Sequence, residues 1–479
     1  MREAGVSIIG LGVSGNAAAR LALEKGEGVY VSDISTDALT AARARELEAM
    51  GAGVQLGCHD VQRIAASQLV VVSPGVPADA SVLHELRARG VRWISEPEFA
   101  VRFHKGALIA VTGTNGKTTT AVLTAHLLRA SGIDARLGGN VGAGIAPPAS
   151  ELALREAPTD WWVLEMSSFQ LRDAQSFSPD VGVLTNLASD HLDRYADTAS
   201  YFADKARLFR NATGTSRWVV NGDDPAALEM ASGAEGDLCP FVSAPPGPET
   251  DDESEQPTVS AFVREGILTL KVRENPDSAC PEEPLVPRKE LRLLGQHNVM
   301  NALAAALTAR LAGADANGIC EGLVSFKPLP HRLEPIGQRN GVLWVNDSKA
   351  TNVAAAISAL RSLDRRVVLI LGGKDKGEDF HPLAAALLRK TRAVVIYGEA
   401  GVRLARELSE ALSVEATDTG VPVLVTIDEG FDRAVAAAGS LSRAGDVVLL
   451  SPACPSFDLF DGYEARGRQF THLARVSGE

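Results

Sequence analysis

Residues Ala110 to Thr120 read AVTGTNGKTTT, which ends like a phosphate-binding loop but does not begin like one. The usual pattern, G-x-x-x-x-G-K-[ST], wants its first glycine at position 111, and this chain has Val111 there. The remaining chemistry is present. Gly113 and Gly116 give flexible backbone on either side of Thr114 and Asn115, Lys117 has the reach for β- and γ-phosphates, and the Thr118 hydroxyl suits Mg²⁺. A second glycine turn, Gly10-Leu11-Gly12-Val13-Ser14-Gly15, is a full G-x-G-x-x-G, with Asp33 following 23 residues after Gly10. Such a turn offers a helix N-terminus to a diphosphate, and an acid at that distance suits a ribose hydroxyl. NAD is the reflex reading, yet the geometry suits any nucleotide diphosphate. The bland alternative is two ligand-free turns, one beside a solvated lysine.

Glu165 in WWVLEMSSFQL and His191 in LTNLASDHLDRY stand at or just past the ends of buried-strand patterns. Ligands of open α/β sheets bind at that edge, so the two suit a metal beside a phosphate. A capping acid and a loop histidine are the ordinary readings. Arg332 in LPHRLE, Lys349 in NDSKATN, and Lys374 and Lys376 in GGKDKGEDF fall on loops or at a domain start. They can gather positive charge locally in a chain whose net charge is -13.

The elements that position these residues alternate strand and helix. GVSII, VYVSD and LVVVSPG predict a first parallel sheet, ALIAVTG, WWVLE and VGVLTN a second, and VLWVND, RVVLILGG, AVVIYG, VPVLV and DVVLLSP a third. SAFVREGILTLKV predicts a hairpin turning at Glu265-Gly266, and an Ala-rich helix is expected over 298–312. PPGPETDDESEQP, with five acids within 249–255, reads as a mobile surface insertion. The fold class is therefore α/β in three domains: Rossmann-like over 1–103, a P-loop ATPase type over 104–328, and Rossmann-like again over 329–479.

Acidity argues against a nucleic-acid-binding face. Five cysteines without a CxxC pair fit reduced thiols. The first residues lack an export-signal pattern, and no stretch has the length and apolarity of a membrane span. The expectation is a cytoplasmic protein, without membrane insertion and monomeric.

TGTNGKTTT, EMSSFQL, DHLDRY, the run Gly295-Gln296-His297-Asn298-Val299-Met300-Asn301, LPHRLE, NDSKATN and LSPACPSFDLF occur in this order. Together they closely resemble the Mur ligases of peptidoglycan synthesis, through all three domains. TGTNGKTTT is that family's own variant of the P-loop. The N-terminal nucleotide-type domain and NDSKATN resemble the glutamate-adding branch. The acidic insertion and the spacing in GGKDKGEDF are mild departures.

The resemblance implies ATP-dependent amide formation through an acyl phosphate, with UDP-N-acetylmuramoyl-L-alanine and D-glutamate as substrates and ATP and Mg²⁺ required. It implies that Gly113 through Thr119 hold ATP, with Thr119 beside Thr118. Thr118, Glu165, His191 and Lys205 are the implied Mg²⁺ ligands, and Lys117, Glu165, His191 and Lys205 the catalytic set. An ammonium cannot ligate a metal, so Lys205, in YFADKARLF, is implied to be carbamylated by CO₂; from its own residues it reads as a solvated helix lysine. Asn298 and Asn301 are implied near adenine, and Arg332 and Asp347 on ATP from the third domain, which is expected to close onto the second in turnover. Val13, Ser14, Asp33, Ser73, Pro74, Gly75 and Asn140 match UDP-substrate contacts. Lys349, Thr351, Lys376, Ser456 and Phe457 match the D-glutamate pocket, with Lys374 the alternative to Lys376. The rival readings are an NAD-dependent dehydrogenase, a non-catalytic nucleotide sensor, and a folylpolyglutamate-type amide ligase.

Overall fold

A computed structural model describes residues 5–142, 144–155, 158–190, 194–245, 259–272, 280–415, 421–428 and 430–476. His191 and the acidic stretch 249–258 lie outside these residues.

Three sheets organise the chain. The first has five parallel strands in the order Gly53–Leu56, Val29–Asp33, Val6–Ile9, Leu69–Val72, Ile94–Ser95. The order reverses beside Val6–Ile9, so a crevice opens past its carboxyl end. The second sheet has nine strands. At its heart Ala107–Thr112 lies between Trp161–Glu165 and Val181–Leu184, all parallel. The third has six, with Val447–Leu450 between Val342–Asn346 and Val367–Gly372.

Val367–Gly372, VVLILG, is buried at every residue. Helices cover both faces of a parallel sheet, so its strands are apolar throughout. Period-2 alternation then divides the side chains. Leu369 and Leu371 join a core with Leu360 and Leu383, while Val368 and Ile370 join one with Phe431 and Phe470.

Antiparallel pairing occurs in two places, the first of them around the expected hairpin. Ser260–Arg264, Ile267–Lys271 and Glu282–Pro287 form an antiparallel extension of the second sheet, and Glu334–Arg339 runs antiparallel to Val342–Asn346. The hairpin does turn at Glu265 and Gly266, whose φ values of 50° and 78° are those of a tight type I′-like turn.

By contact density the chain forms two compact units, residues 1–288 with 300–324 and residues 289–299 with 325–479. The first unit therefore holds two sheets, and buried carboxylates fasten them. Glu98, from the first sheet's last helix, accepts hydrogen bonds from Gln175 N (2.5 Å), Ser176 N (2.9 Å) and Ser176 Oγ (2.6 Å). Glu96 accepts one from Ser150 N at 2.5 Å.

Candidate functional site

Val111 is a strand residue, which explains the glycine missing from the loop motif. It is 0% exposed and lies in register with Glu165 on one side and Val183 on the other. A glycine there would leave a hole between two paired strands. The loop proper begins at Gly113. A Cβ on Gly113 would sit 2.0 Å from Thr185 Oγ1, and one on Gly116, the left-handed residue before helix Lys117–Ala130, would sit 2.3 Å from Asn301 Oδ1. Thr114 N donates to Asn186 O and Asn115 N to Asn186 Oδ1, each at 2.9 Å. The result is a fixed turn feeding a helix whose first N–H groups suit phosphate.

Lys117 curls over this loop, its Nζ donating to Gly113 O (2.9 Å) and Thr114 O (2.7 Å). Lys205, near the end of helix Thr198–Ala206, donates to the same Gly113 carbonyl at 2.7 Å. Two ammonium groups on one carbonyl repel each other. The buried one gives way: burial first, then the charge of Lys117, hold the Lys205 amine well below the usual lysine range. Asp190, Glu165 and Asp204 pull it the other way without prevailing. Lys205 is 1% exposed, with its Nζ 4.5 Å from the Tyr201 ring centre. The sequence pattern of a solvated helix lysine is thus overturned by tertiary packing.

Glu165 ends strand Trp161–Glu165 and is 2% exposed. Among the described residues its Oε2 has no hydrogen-bond partner. An orphaned buried carboxylate oxygen on the strand next to the loop's own, with the Thr118 hydroxyl at the helix start, is a hard-oxygen donor set that fits Mg²⁺. A bare Lys205 amine does not fit such a cation.

Past the reversal of the first sheet lies a cavity of about 610 Å³, lined by Val13, Ser14, Asp33, Ser73, Pro74 and Gly75 among others. Asp33 accepts from Leu11 N (2.5 Å) and Ser35 N (2.7 Å), so its carboxylate shapes the glycine turn itself. Asn140 is not among the lining residues; it is exposed, and its N donates to Glu165 O at 2.9 Å. His59 lines the cavity and escaped sequence reasoning. Its position just past the end of strand Gly53–Leu56 was the available signal. Burial lowers its pKa, and its Nδ1 lies 2.8 Å from Ser32 Oγ.

In the second unit the predicted residues share the carboxyl edge of the third sheet. Asp347, Lys349 and Thr351 follow strand Val342–Asn346, Lys374 and Lys376 follow Val367–Gly372, and Ser456 and Phe457 follow Val447–Leu450. Asp347 accepts from Leu333 N (3.1 Å) and Ser451 Oγ (2.9 Å), and burial raises its pKa to about 7. Lys349 Nζ sits 3.8 Å over the Tyr463 ring, and Lys376 lies 3.4 Å from Glu378 while Lys374 is exposed. Ser456 is buried and Phe457 exposed. Arg332 stands between His331 and Leu333, both left-handed at φ 63° and 41°, and Ala453 on a facing loop has φ 59°. Left-handed non-glycine residues are held only by firm surroundings and cluster at working sites. Asn298 Nδ2 donates to Leu294 O at 2.7 Å, and in the other unit Asn301 Oδ1 accepts from Thr120 Oγ1 at 3.3 Å.

Arg466 is the residue sequence reasoning missed here. It is 0% exposed in helix Tyr463–Val476, donating through Nε to Ser348 Oγ (3.0 Å), Nη2 to Ser348 O (2.9 Å) and Nη1 to Cys454 O (3.0 Å). It thereby ties the loop carrying Lys349 and Thr351 to the loop carrying Ser456. Its spacing of four from the buried Phe470 was the available signal.

Family models agree with this architecture in three consecutive segments. Residues 4–95 match the Mur ligase MurD-like N-terminal domain, 111–309 the Mur ligase middle domain, and 331–454 the Mur ligase glutamate ligase domain. A UDP-N-acetylmuramoylalanine–D-glutamate ligase of Acidobacterium capsulatum is 38% identical, covering 98% of this chain and 95% of its own. The enzyme of the same name from Salinibacter ruber is also 38% identical, over 99% of this chain and 98% of its own. Among solved structures, a pseudomurein peptide ligase type C from Methanothermus fervidus shares the fold at TM-score 0.60 and 22% identity, covering 98% of this chain and 100% of its own. MurF ligase from Thermotoga maritima, in complex with ADP, does so at TM-score 0.58 and 16% identity, over 93% and 94%. With all three domains matched and relatives this similar along nearly its whole length, the chain belongs to the Mur ligase family.

Proposed function

We infer that this chain joins D-glutamate to UDP-N-acetylmuramoyl-L-alanine, at the expense of ATP and through an acyl phosphate, in peptidoglycan precursor synthesis. The observation that carries the reading is the pairing, in one unit, of a nucleotide-sized cavity at the Gly10–Gly15 turn with a phosphate-type loop at Gly113–Thr118. Relatives named for this activity match along nearly the full length. The G-x-G-x-x-G cavity then serves UDP, and a dehydrogenase reading leaves the second loop without a task.

A carboxylate is a poor electrophile at neutral pH, so phosphorylation must precede attack by the amine. Phosphoryl transfer needs position and charge neutralisation above all. Helix Lys117–Ala130 presents its N–H groups, and Lys117 its ammonium, to the phosphates. Thr118 and Glu165 would hold Mg²⁺, joined by His191 and by Lys205 as a carbamate; the metal supplies charge neutralisation at the γ-phosphate and the acceptor carboxylate. Burial and the charge of Lys117 weaken the hold of the Lys205 amine on its proton, which favours the free lone pair that CO₂ addition requires, and this supports the carbamate assignment. Asn298, Asn301, Arg332 and Asp347 would hold the nucleotide, and Lys349, Thr351, Lys376, Ser456 and Phe457 D-glutamate. The setting is cytoplasmic, where ATP and UDP-linked precursors are available; among the described residues no helix is long and apolar enough to cross a membrane.

Phosphate release from ATP is the test. It should require UDP-N-acetylmuramoyl-L-alanine and D-glutamate together, with L-glutamate inactive. Equal rates with L-glutamate, or release needing neither substrate, would sink the reading.

A further inference from the structure

The amino-terminal edge of the third sheet carries a second concentration of charge that the ligase reaction does not use. A cavity of about 450 Å³ opens there, lined by Arg366, Arg389, Lys390, Arg392, Arg443 and Thr391. These residues stand before or at the starts of strands Val367–Gly372, Thr391–Tyr397 and Val447–Leu450. The residues assigned to D-glutamate follow the opposite ends of the same sheet. A six-residue strand separates the two edges by about 20 Å.

Five cationic side chains converge on this cavity in a chain whose net charge is -13. Arg392 is neutralised by Asp446, through Nε at 2.6 Å and Nη2 at 3.1 Å, and Lys390 Nζ donates to Leu363 O at 2.7 Å. Arg366, Arg389 and Arg443 make no ion pair among the described residues. Arg366, Arg389 and Arg443 are all exposed, so their guanidinium groups are open to an incoming anion. Val421 and Val423, 51% and 56% exposed, add an apolar border.

We propose that this cavity is a binding site for a small phosphorylated molecule, with its phosphate or pyrophosphate held by Arg366, Arg389 and Arg443 and a short apolar part against Val421 and Val423. Guanidinium forks match phosphate oxygens in geometry and charge. The volume is that of a small-molecule site, and a concave pocket suits a compact anion over a membrane surface.

Pyrophosphate is the probe, titrated calorimetrically into the full-length chain with UDP-N-acetylmuramoyl-L-alanine, Mg²⁺ and a non-hydrolysable ATP analogue in excess. The wild type should bind one equivalent. Arg366→Ser/Arg389→Ser/Arg443→Ser should lose about 100-fold or more in affinity, the sum expected of several charge-assisted bonds, while ligase turnover stays within about twofold. Absence of a pyrophosphate site, or a site the triple substitution leaves unaltered, overturns the proposal. So does binding to phosphatidylglycerol vesicles without binding to pyrophosphate, because the face would then be a membrane contact. Comparing the two chains locates the site whatever fills the nucleotide pockets.

Discussion

Lys205 and Arg466 are both withdrawn from water, at 1% and 0% exposure, yet the fold treats them in opposite ways. Arg466 spreads its charge over Ser348 Oγ, Ser348 O and Cys454 O, with longer bonds to Gly372 O, Tyr397 Oη and Pro455 O. Among the described residues Lys205 has one carbonyl, shared with Lys117, and an aromatic face. A guanidinium stays charged and needs partners in every direction of its fork; an amine can escape the cost of burial by losing its proton. The satisfied cation holds architecture together. The unsatisfied one is chemically available.

The largest effect that could break this contrast is on turnover. Lys205→Met fills the same volume without the amine. It should cut the ligase rate by about 1,000-fold or more, the scale of losing a group that organises transition-state charge, while unfolding is unchanged or shifted slightly upward. Removing CO₂ from the wild-type enzyme should depress its rate reversibly, with bicarbonate restoring it. A Lys205→Met chain that keeps near-normal turnover ends the distinction.

Arg466→Met is the converse. Six acceptors lose their donor, so the expected cost is about 3–5 kcal/mol, or roughly 10 °C in the unfolding midpoint of a unit this size. Because Arg466 joins the loops of Lys349 and Ser456, the KM for D-glutamate should rise while binding of the UDP substrate, in the other unit, is untouched. Arg466→Lys should recover part of the stability and little of the KM. Equal loss of affinity for both substrates would make Arg466 merely structural.

Strand-to-helix alternation, the two glycine turns and the hairpin at Glu265-Gly266 were legible because each is written locally, in period and turn chemistry. Strands such as Asp237–Phe241, with Pro240 inside, and Glu334–Arg339, EPIGQR, were not, since pairing partners and not their own residues make them strands. Site residues divide in the same way. Lys117 and Thr118 are announced by a loop. Lys205, Arg466 and His59 look like any helix lysine, helix arginine and loop histidine, because burial, which gives each its role, is a property of three-dimensional packing.

Carboxylates sharpen the same contrast at the joint between the first two sheets. Glu98 has three donors, whereas Glu96, 0% exposed, leaves Oε2 without a partner among the described residues. Burial raises the Glu96 pKa to about 7, against donation from Ser150. Between about pH 4.5 and 7 the folded chain then holds a proton that the unfolded chain has released, so this group makes stability fall as pH rises through that window. Glu96→Gln should flatten the fall and leave the variant more stable above pH 7, by up to roughly 3 kcal/mol. Glu98→Gln should instead destabilise by about 1–3 kcal/mol, since an amide NH₂ would face donors. Chemical denaturation from pH 5 to 8 reads both, and a pH-independent difference for Glu96→Gln would refute the assignment.

The smallest effect belongs to a cation that is only partly buried. Lys376 retains 22% of its side-chain exposure and sits 3.4 Å from Glu378, whose Oε1 accepts from Val353 N at 3.0 Å in the helix following Thr351. Lys374, two residues earlier, is exposed. A partly screened ammonium on a substrate carboxylate is worth the lower end of a charge-assisted bond, about 1.5 kcal/mol. Lys376→Ala should therefore raise the KM for D-glutamate about tenfold and leave that for ATP within about twofold. Lys374→Ala should do neither, because a side chain already in water has nothing to lose. If Lys374→Ala raises the D-glutamate KM and Lys376→Ala does not, the assignment belongs to the exposed lysine, and burial ceases to mark which cations of this chain work.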